Sequence, residues 1–289
     1  MHASDIRRAA LFMAASALAF AAMSAAVKAA SRDVPNAVVV FFRNAVALVV
    51  LLPWALRQGP RALATRQWGG HLVRGLAGLA AMSCFFYAIG RMRLSDAVVL
   101  NQSFPLFLPF WERAWLKEPV PARVWPSLLT GFAGVLLVLK PGSGVFAPVA
   151  LLGLLSAVLA AVAQVGIRRL TQTEPIARIV FYFAAIATAG AAVPLWWAWR
   201  TPSPAGWLAL TLTGILATIG QFALTRAYSH APAAVVGPFV YTGVVFAALF
   251  DWIFWRTWPD AFFVPGAALI VLAGAALLRG HPEPEAGAA

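Results

Sequence analysis

The chain has 289 residues, 62% of them hydrophobic and 11% charged, and its mean hydropathy is +0.80. A soluble domain is nearer half apolar and a quarter charged, so a water-soluble fold around one core is excluded. The net charge of +12 hints at nucleic acid, but the basic residues are scattered over short polar breaks and no nucleic-acid motif accompanies them.

Apolar stretches of roughly 20 residues, the length a helix needs to cross about 30 Å of hydrocarbon, follow one another along the chain. The predicted spans are 10–29, 36–57, 70–90, 95–116, 123–140, 148–168, 176–199, 206–228, 232–255 and 260–279. The expected fold class is therefore an all-α integral membrane protein of ten helices, with 281–289 ("HPEPEAGAA") as a polar, disordered tail.

The first stretch, "MHASDIRRAALFMAASALAFAAMSAA", also resembles a cleavable secretory signal. It is read as a span because its loss would break the repeat described below. Its Ala17, Ala21 and Ala25 also recur every four residues, a spacing that suits close helix packing.

Polar groups inside spans are costly, about 2.5–3.5 kcal/mol for a central Arg, Lys or Asp, so each needs a partner, a wet cavity or a role. The second span carries Arg43, a candidate cationic contact to solute or a structural arginine bonded to a neighbouring helix end. In the third, Arg74 lies about a turn from the predicted cytoplasmic end, where snorkelling to headgroups is expected. Tyr87 follows near the other end. The fourth holds Asn101 and Gln102 just before Pro105, whose missing N–H kinks the helix. The sixth carries Gln164, the seventh Tyr182 and the eighth Gln221. The ninth has "VVGPFVYTG", with Pro238 and Tyr241, at a place equivalent to the kink of the fourth. Arg43, Tyr87, Asn101, Gln102, Gln164, Tyr182, Gln221 and Tyr241 are thus the candidate substrate contacts, each weighed against plain interhelical bonding. Glu112 and Asp251, 139 residues apart, are candidate gates or proton-coupling groups, against a simpler reading as ion pairs near span ends.

The chain repeats itself. Residues 10–42 match 150–182 without a gap at nine positions, among them Ser16/Ser156, Pro35/Pro175 and Phe41/Phe181, with basic Lys28 falling on Arg168. A second window, at a spacing of 136, pairs Gly78 with Gly214 and Phe86 with Phe222. Five helices per copy is an odd number, so the copies are expected to enter the membrane in opposite directions. Inverted repeats of this kind build a midplane site that opens to either side. The repeats are bounded at 1–142 and 143–280.

The stretch "AWLKEPVPARVWPSLLTGFAGVLLVLKPG" at 114–142, with Glu118 after a Trp and a glycine-containing helix behind it, resembles the EamA-type members of the drug/metabolite transporter superfamily. Its counterpart in the second half, "DWIFWRTWPDAFFVPGAALIVLAGAALLRG", has no acid at the matching place. The resemblance covers almost the whole chain and implies ten spans in two five-helix halves.

Function follows from these features. The expectation is a secondary transporter moving a small metabolite, anionic or zwitterionic if Arg43 meets it. It would act as a monomer or homodimer in the lipid bilayer, with no nucleic acid and no cofactor, and the missing G-x-x-x-x-G-K-[ST] loop argues against ATP drive. The alternative, a lipid- or prenyl-modifying membrane enzyme, needs clustered acids or a His/Asp pair. The four histidines have no acid at a useful helical spacing, and the lone Cys84 excludes a thiolate metal site. Of 22 Lys and Arg, 13 fall at one set of span ends and 7 at the other, which predicts both termini in the cytoplasm of a bacterial inner membrane.

Overall fold

Short polar breaks punctuate the apolar runs, and the chain folds into helices between them. The computed structural model describes residues 3–89, 91, 94–142, 145, 148–256 and 261–279; the predicted tail 281–289 lies outside them. The first half comprises α1 (Ala3–Ala30), α2 (Asn36–Gln58), the single turn α3 (Pro60–Leu63), α4 (Trp68–Ile89), α5 (Leu94–Asn101), α6 (Phe104–Trp111) with a π-turn at Glu112–Leu116, and α7 (Val124–Leu139). The second comprises α8 (Ala150–Leu170), α9 (Ile176–Ala192), α10 (Leu195–Ala198), α11 (Pro204–His230), α12 (Ala233–Val236) with a 3₁₀ turn at Gly237–Tyr241, α13 (Thr242–Trp255) and α14 (Phe263–Arg279). Among the described residues, five segments are long and apolar enough to cross a bilayer: Asp5–Ala30, Asn36–Gln58, Ala150–Leu170, Pro204–His230 and Ala233–Phe254. Val124–Leu139, Ile176–Ala192 and Phe263–Leu278 are shorter apolar helices.

The two halves repeat one another down to their turns. Pro35 and Pro175 precede α2 and α9 in the same extended conformation (φ/ψ −61/151° and −66/145°). Ahead of them, Ser31 and Thr171 donate to Val27 and Ile167, and the N–H groups of Asp33 and Thr173 return to Ala30 and Leu170. Lys117 and Arg256 end the fourth and ninth predicted spans in the same left-handed conformation, φ 57° and 56°. The packing is reciprocal as well: α1 lies on α11 as α8 lies on α4, α2 meets α11 as α9 meets α4, and the equivalent pairs α2/α9 and α7/α14 pack on each other.

Close approach rests on small residues. A Cβ on Gly134 would come 2.6 Å from the Gly266 carbonyl, and one on Gly266 would come 2.9 Å from that of Gly134, so α7 and α14 touch backbone to backbone. Ser16 donates to the Gly220 carbonyl at 2.9 Å, locking α1 to α11, and Ala17 and Ala21 of the predicted stripe are buried.

Both predicted kinks are present, but they pack together instead of enclosing a polar site. The fourth span breaks between α5 and α6, and the ninth is interrupted by the 3₁₀ turn. Gly237 faces Leu108 and Pro105 in an apolar core shared with Leu128, Tyr228 and Val235. Proline removes a backbone donor and so breaks the helix, but what packs against the break is set by the neighbouring helices.

Candidate functional site

The polar centre of the molecule lies on the other side of the bundle, where α2, α4, α9 and α11 meet. Arg43 of α2 is 8% exposed and its Nη1 donates to Asn44 Oδ1 at 3.2 Å. Asn44 in turn donates to the Val40 carbonyl at 2.8 Å, which orients its oxygen toward the guanidinium. Arg74 of α4 is 4% exposed and donates through Nη2 to Gln221 Oε1 of α11 at 3.2 Å. Both guanidiniums face the ring of Phe183 on α9, Arg74 at 3.9 Å from its centroid and Arg43 at 5.9 Å. A cavity of about 10 Å³ lies among Arg43, Asn44, Phe183, Thr218 and Gln221, the size of about one water.

Arg74 holds its place because its neighbours are small. A Cβ at Gly78 would sit 2.5 Å from Arg74 Nη1, whereas one at Gly166 would make only an ordinary contact with the Arg74 Cβ, at 3.5 Å. The expected snorkelling of Arg74 to headgroups is therefore corrected: the helix face it occupies points at α8, α9 and α11, not at lipid.

Among the described residues neither arginine is paired with a carboxylate, whereas Glu118 pairs with Arg168 and Glu174 with Arg178. Two buried, unneutralised guanidiniums sharing one aromatic ring leave donors facing the interior. Other groups near Arg74 are also unsatisfied. Its Nε, both ring nitrogens of His71 one turn earlier, and the hydroxyl of the fully buried Tyr228 are buried without a hydrogen-bond partner. Buried polar atoms in a native fold are nearly always bonded to protein or to ordered water, so these groups are donors and acceptors that water or a polar solute can satisfy.

The remaining sequence candidates are spread through the molecule. Gln221 joins Arg43 at the centre. Tyr182 instead donates to the Leu63 carbonyl at 2.6 Å and packs on Trp68 and His71, closing the end where α4 begins. Asn101 donates to Ser156 Oγ at 3.0 Å, tying α5 to α8. Tyr241 is fully buried against Gly131 and Phe132 of α7. Gln102 sits half-buried in the break between α5 and α6, and Gln164 is half-buried on α8. Tyr87 is 45% exposed on the outer surface, with the Arg91 guanidinium 3.8 Å from its ring centroid.

Glu112 is not a surface ion pair. It is 1% exposed and accepts the N–H groups of Ala233 and Ala234 at 2.5 and 2.9 Å. It thus satisfies the first orphan donors of α12 across the interface between halves. The Asp251 side chain lies outside the described residues.

Sequence reasoning missed Asn44, Phe183 and Thr218 and placed Arg74 at the headgroups. One signal was available: Phe183 stands 140 residues after Arg43, at the repeat spacing. The repeat's internal symmetry brings the equivalent positions of α2 and α9 together, and this chain has an arginine at one and a phenyl ring at the other.

Comparison with known proteins fits this architecture. The EamA-like transporter family model matches twice, over residues 7–140 and 147–279. The chain belongs to the EamA-like transporter family. Its relatives include the pseudopaline exporter CntI of Pseudomonas aeruginosa (strain UCBPP-PA14), 40% identical over 263 residues, 90% of this chain and 92% of the relative. The riboflavin transporter of Brucella anthropi is 32% identical over 92% of this chain and 97% of its own length. An S-adenosylmethionine uptake transporter of Rickettsia prowazekii is 29% identical over 81% of this chain and 79% of its own. A solved crystal structure shares the fold, with a TM-score of 0.81 over 93% of this chain and 96% of that one at 20% identity. This chain is accordingly a membrane transporter of a small metabolite, and the membrane-enzyme reading has no support among these relatives.

Proposed function

We propose that this member of the EamA-like family carries a small organic anion, bound by its carboxylate groups between Arg43 and Arg74. The observation that carries the reading is the pair of buried guanidiniums around Phe183 with no acidic partner among the described residues. A carboxylate accepts two parallel N–H bonds from one guanidinium, and such charge-assisted pairs are about twice as strong as neutral ones. Phe183 supplies an apolar flank, and Thr218 and Gln221 supply uncharged polar contacts.

Transport then proceeds by alternating access between repeats 1–142 and 143–280, inserted in opposite directions as ten crossings, with both termini in the cytoplasm. Support for this mode comes from the reciprocal packing of α1/α11 and α8/α4 and from the equivalent turns at Pro35 and Pro175. Export is the proposed direction, because the 40% identical relative is named an exporter.

The test is uptake and counterflow in proteoliposomes, with pseudopaline as the first solute and riboflavin and S-adenosylmethionine beside it. Movement of a carboxylate-bearing solute that Arg43→Gln and Arg74→Gln each abolish is the expected result. Transport of a solute without an acidic group, indifferent to both substitutions, would overturn the proposal.

A further inference from the structure

A second basic site lies on the outside of the bundle. α1 and α11 run antiparallel, locked by the Ser16 to Gly220 bond and by Phe20 packed over Gly220. Toward the end where α1 begins and α11 finishes, a groove of about 550 Å³ opens between them, lined by Arg8, Leu11, Phe12, Ala15, Arg226 and His230. Arg8 and Phe12 are one turn apart on α1, and Arg226 and His230 one turn apart on α11, so each pair shares a helix face.

The groove has an apolar floor and a cationic rim. The Phe12 ring stacks on that of His230, with centroids 5.7 Å apart and planes 8° from parallel, and the Arg226 guanidinium lies 6.0 Å from the Phe12 centroid. Leu11 is 71% exposed. Asp5 and His230 are within electrostatic range of each other, and so are Arg8 and Arg226 with His230, so the cations outnumber the acid. Arg226 stands a single turn from the end of α11, a helix long and apolar enough to cross a bilayer.

The geometry points to a binding site for an anionic phospholipid, with its phosphate between Arg8 and Arg226 and an acyl chain along Leu11, Phe12 and Ala15. Charge complementarity selects the headgroup, since each basic side chain at a membrane surface favours anionic lipid. The apolar floor selects a lipid over a free anion, which would leave Leu11 and Phe12 uncovered. The groove joins α1 of the first family match to α11 of the second, so a lipid seated there bridges the two halves. The site involves none of the residues of the polar centre and does not depend on what that centre carries.

The experiment is native mass spectrometry and thermal unfolding of the purified full chain with added phosphatidylglycerol, phosphatidylcholine or inorganic phosphate at matched concentrations. Wild type is expected to retain phosphatidylglycerol over phosphatidylcholine. The preference should fall roughly five- to twenty-five-fold in Arg8→Gln/Arg226→Gln, about five-fold per arginine. The Arg8→Lys/Arg226→Lys variant, which keeps the charge, should retain it. Equal binding of the two lipids by wild type, or an undiminished preference in the Gln variant, would overturn the site. Stabilisation by inorganic phosphate equal to that by phosphatidylglycerol would overturn the assignment to a lipid.

Discussion

Replacing Arg74 with Gln separates an arginine kept for its ligand from one kept for the fold. In the resting protein Arg74 gains one hydrogen bond, to Gln221 at 3.2 Å, and a ring contact with Phe183 at 3.9 Å. A charged hydrogen bond contributes about 1.5–3 kcal/mol, and a desolvated cation–π contact about 2 kcal/mol. Against these stands about 2.5–3.5 kcal/mol for holding an arginine inside the membrane. The opposing contributions nearly cancel, leaving a net stability effect of roughly 1–2 kcal/mol, or a shift of a few degrees in Tm. A carboxylate ligand, by contrast, loses a charge-assisted bond worth about 1.5–3 kcal/mol, which weakens Kd by roughly 10- to 150-fold. The assay pairs thermal unfolding with solute binding on the same purified variant, and Arg43→Gln follows the same logic. A fall in Tm of more than about 10 °C with solute binding intact would refute the reasoning, since it would make Arg74 a structural residue.

Glu112→Ala strands the N–H groups of Ala233 and Ala234, each costing about 1–3 kcal/mol. Its Tm should fall well below that of Glu112→Gln, which keeps one acceptor; equal melting of the two would remove the capping role. The loops hold a reciprocal pair of clasps: Asp33 accepts from the Ser203 N–H at 2.7 Å, and Glu174 accepts from Thr65 Oγ1 at 2.5 Å. The second is reinforced by Arg178, whose Nη1 donates to Glu174 and whose Nε donates to the Ala62 carbonyl. Glu174→Ala should therefore raise maleimide labelling of a cysteine introduced by Ala64→Cys, and Asp33→Ala that of one introduced by Ala205→Cys, each measured against the same cysteine variant without the second change. Labelling that rises at the other introduced cysteine instead would reverse the assignment of these clasps.

Much of the architecture was legible because it depends on local chemistry. The Pro35 and Pro175 helix starts and the breaks near Pro105 and Pro238 follow from proline's fixed φ and missing donor, whatever surrounds them. The site was less legible. Asn101 and Tyr241 lie beside real kinks, yet one bonds Ser156 and the other packs on Gly131. A kink changes a helix's direction without saying what fills the space it opens. Arg74 was misplaced because its depth was judged along its own helix. Its surroundings are set by Gly166, Phe183 and Gln221 on three other helices, with Gly78 of its own helix leaving room for the guanidinium.

By itself, then, the order of residues determined that the chain is a membrane protein of repeated apolar helices, because hydrocarbon thickness and backbone hydrogen bonding leave few other outcomes for such a composition. It also showed that one motif occurs twice. Only the tertiary structure decided that Arg43 and Arg74, 31 residues apart on different helices, converge on a single ring, and that Glu112 caps a helix of the other half. Which side chains meet across helices depends on the rotation and depth of each packed helix. Small residues such as Gly78 permit that packing but do not announce its partner.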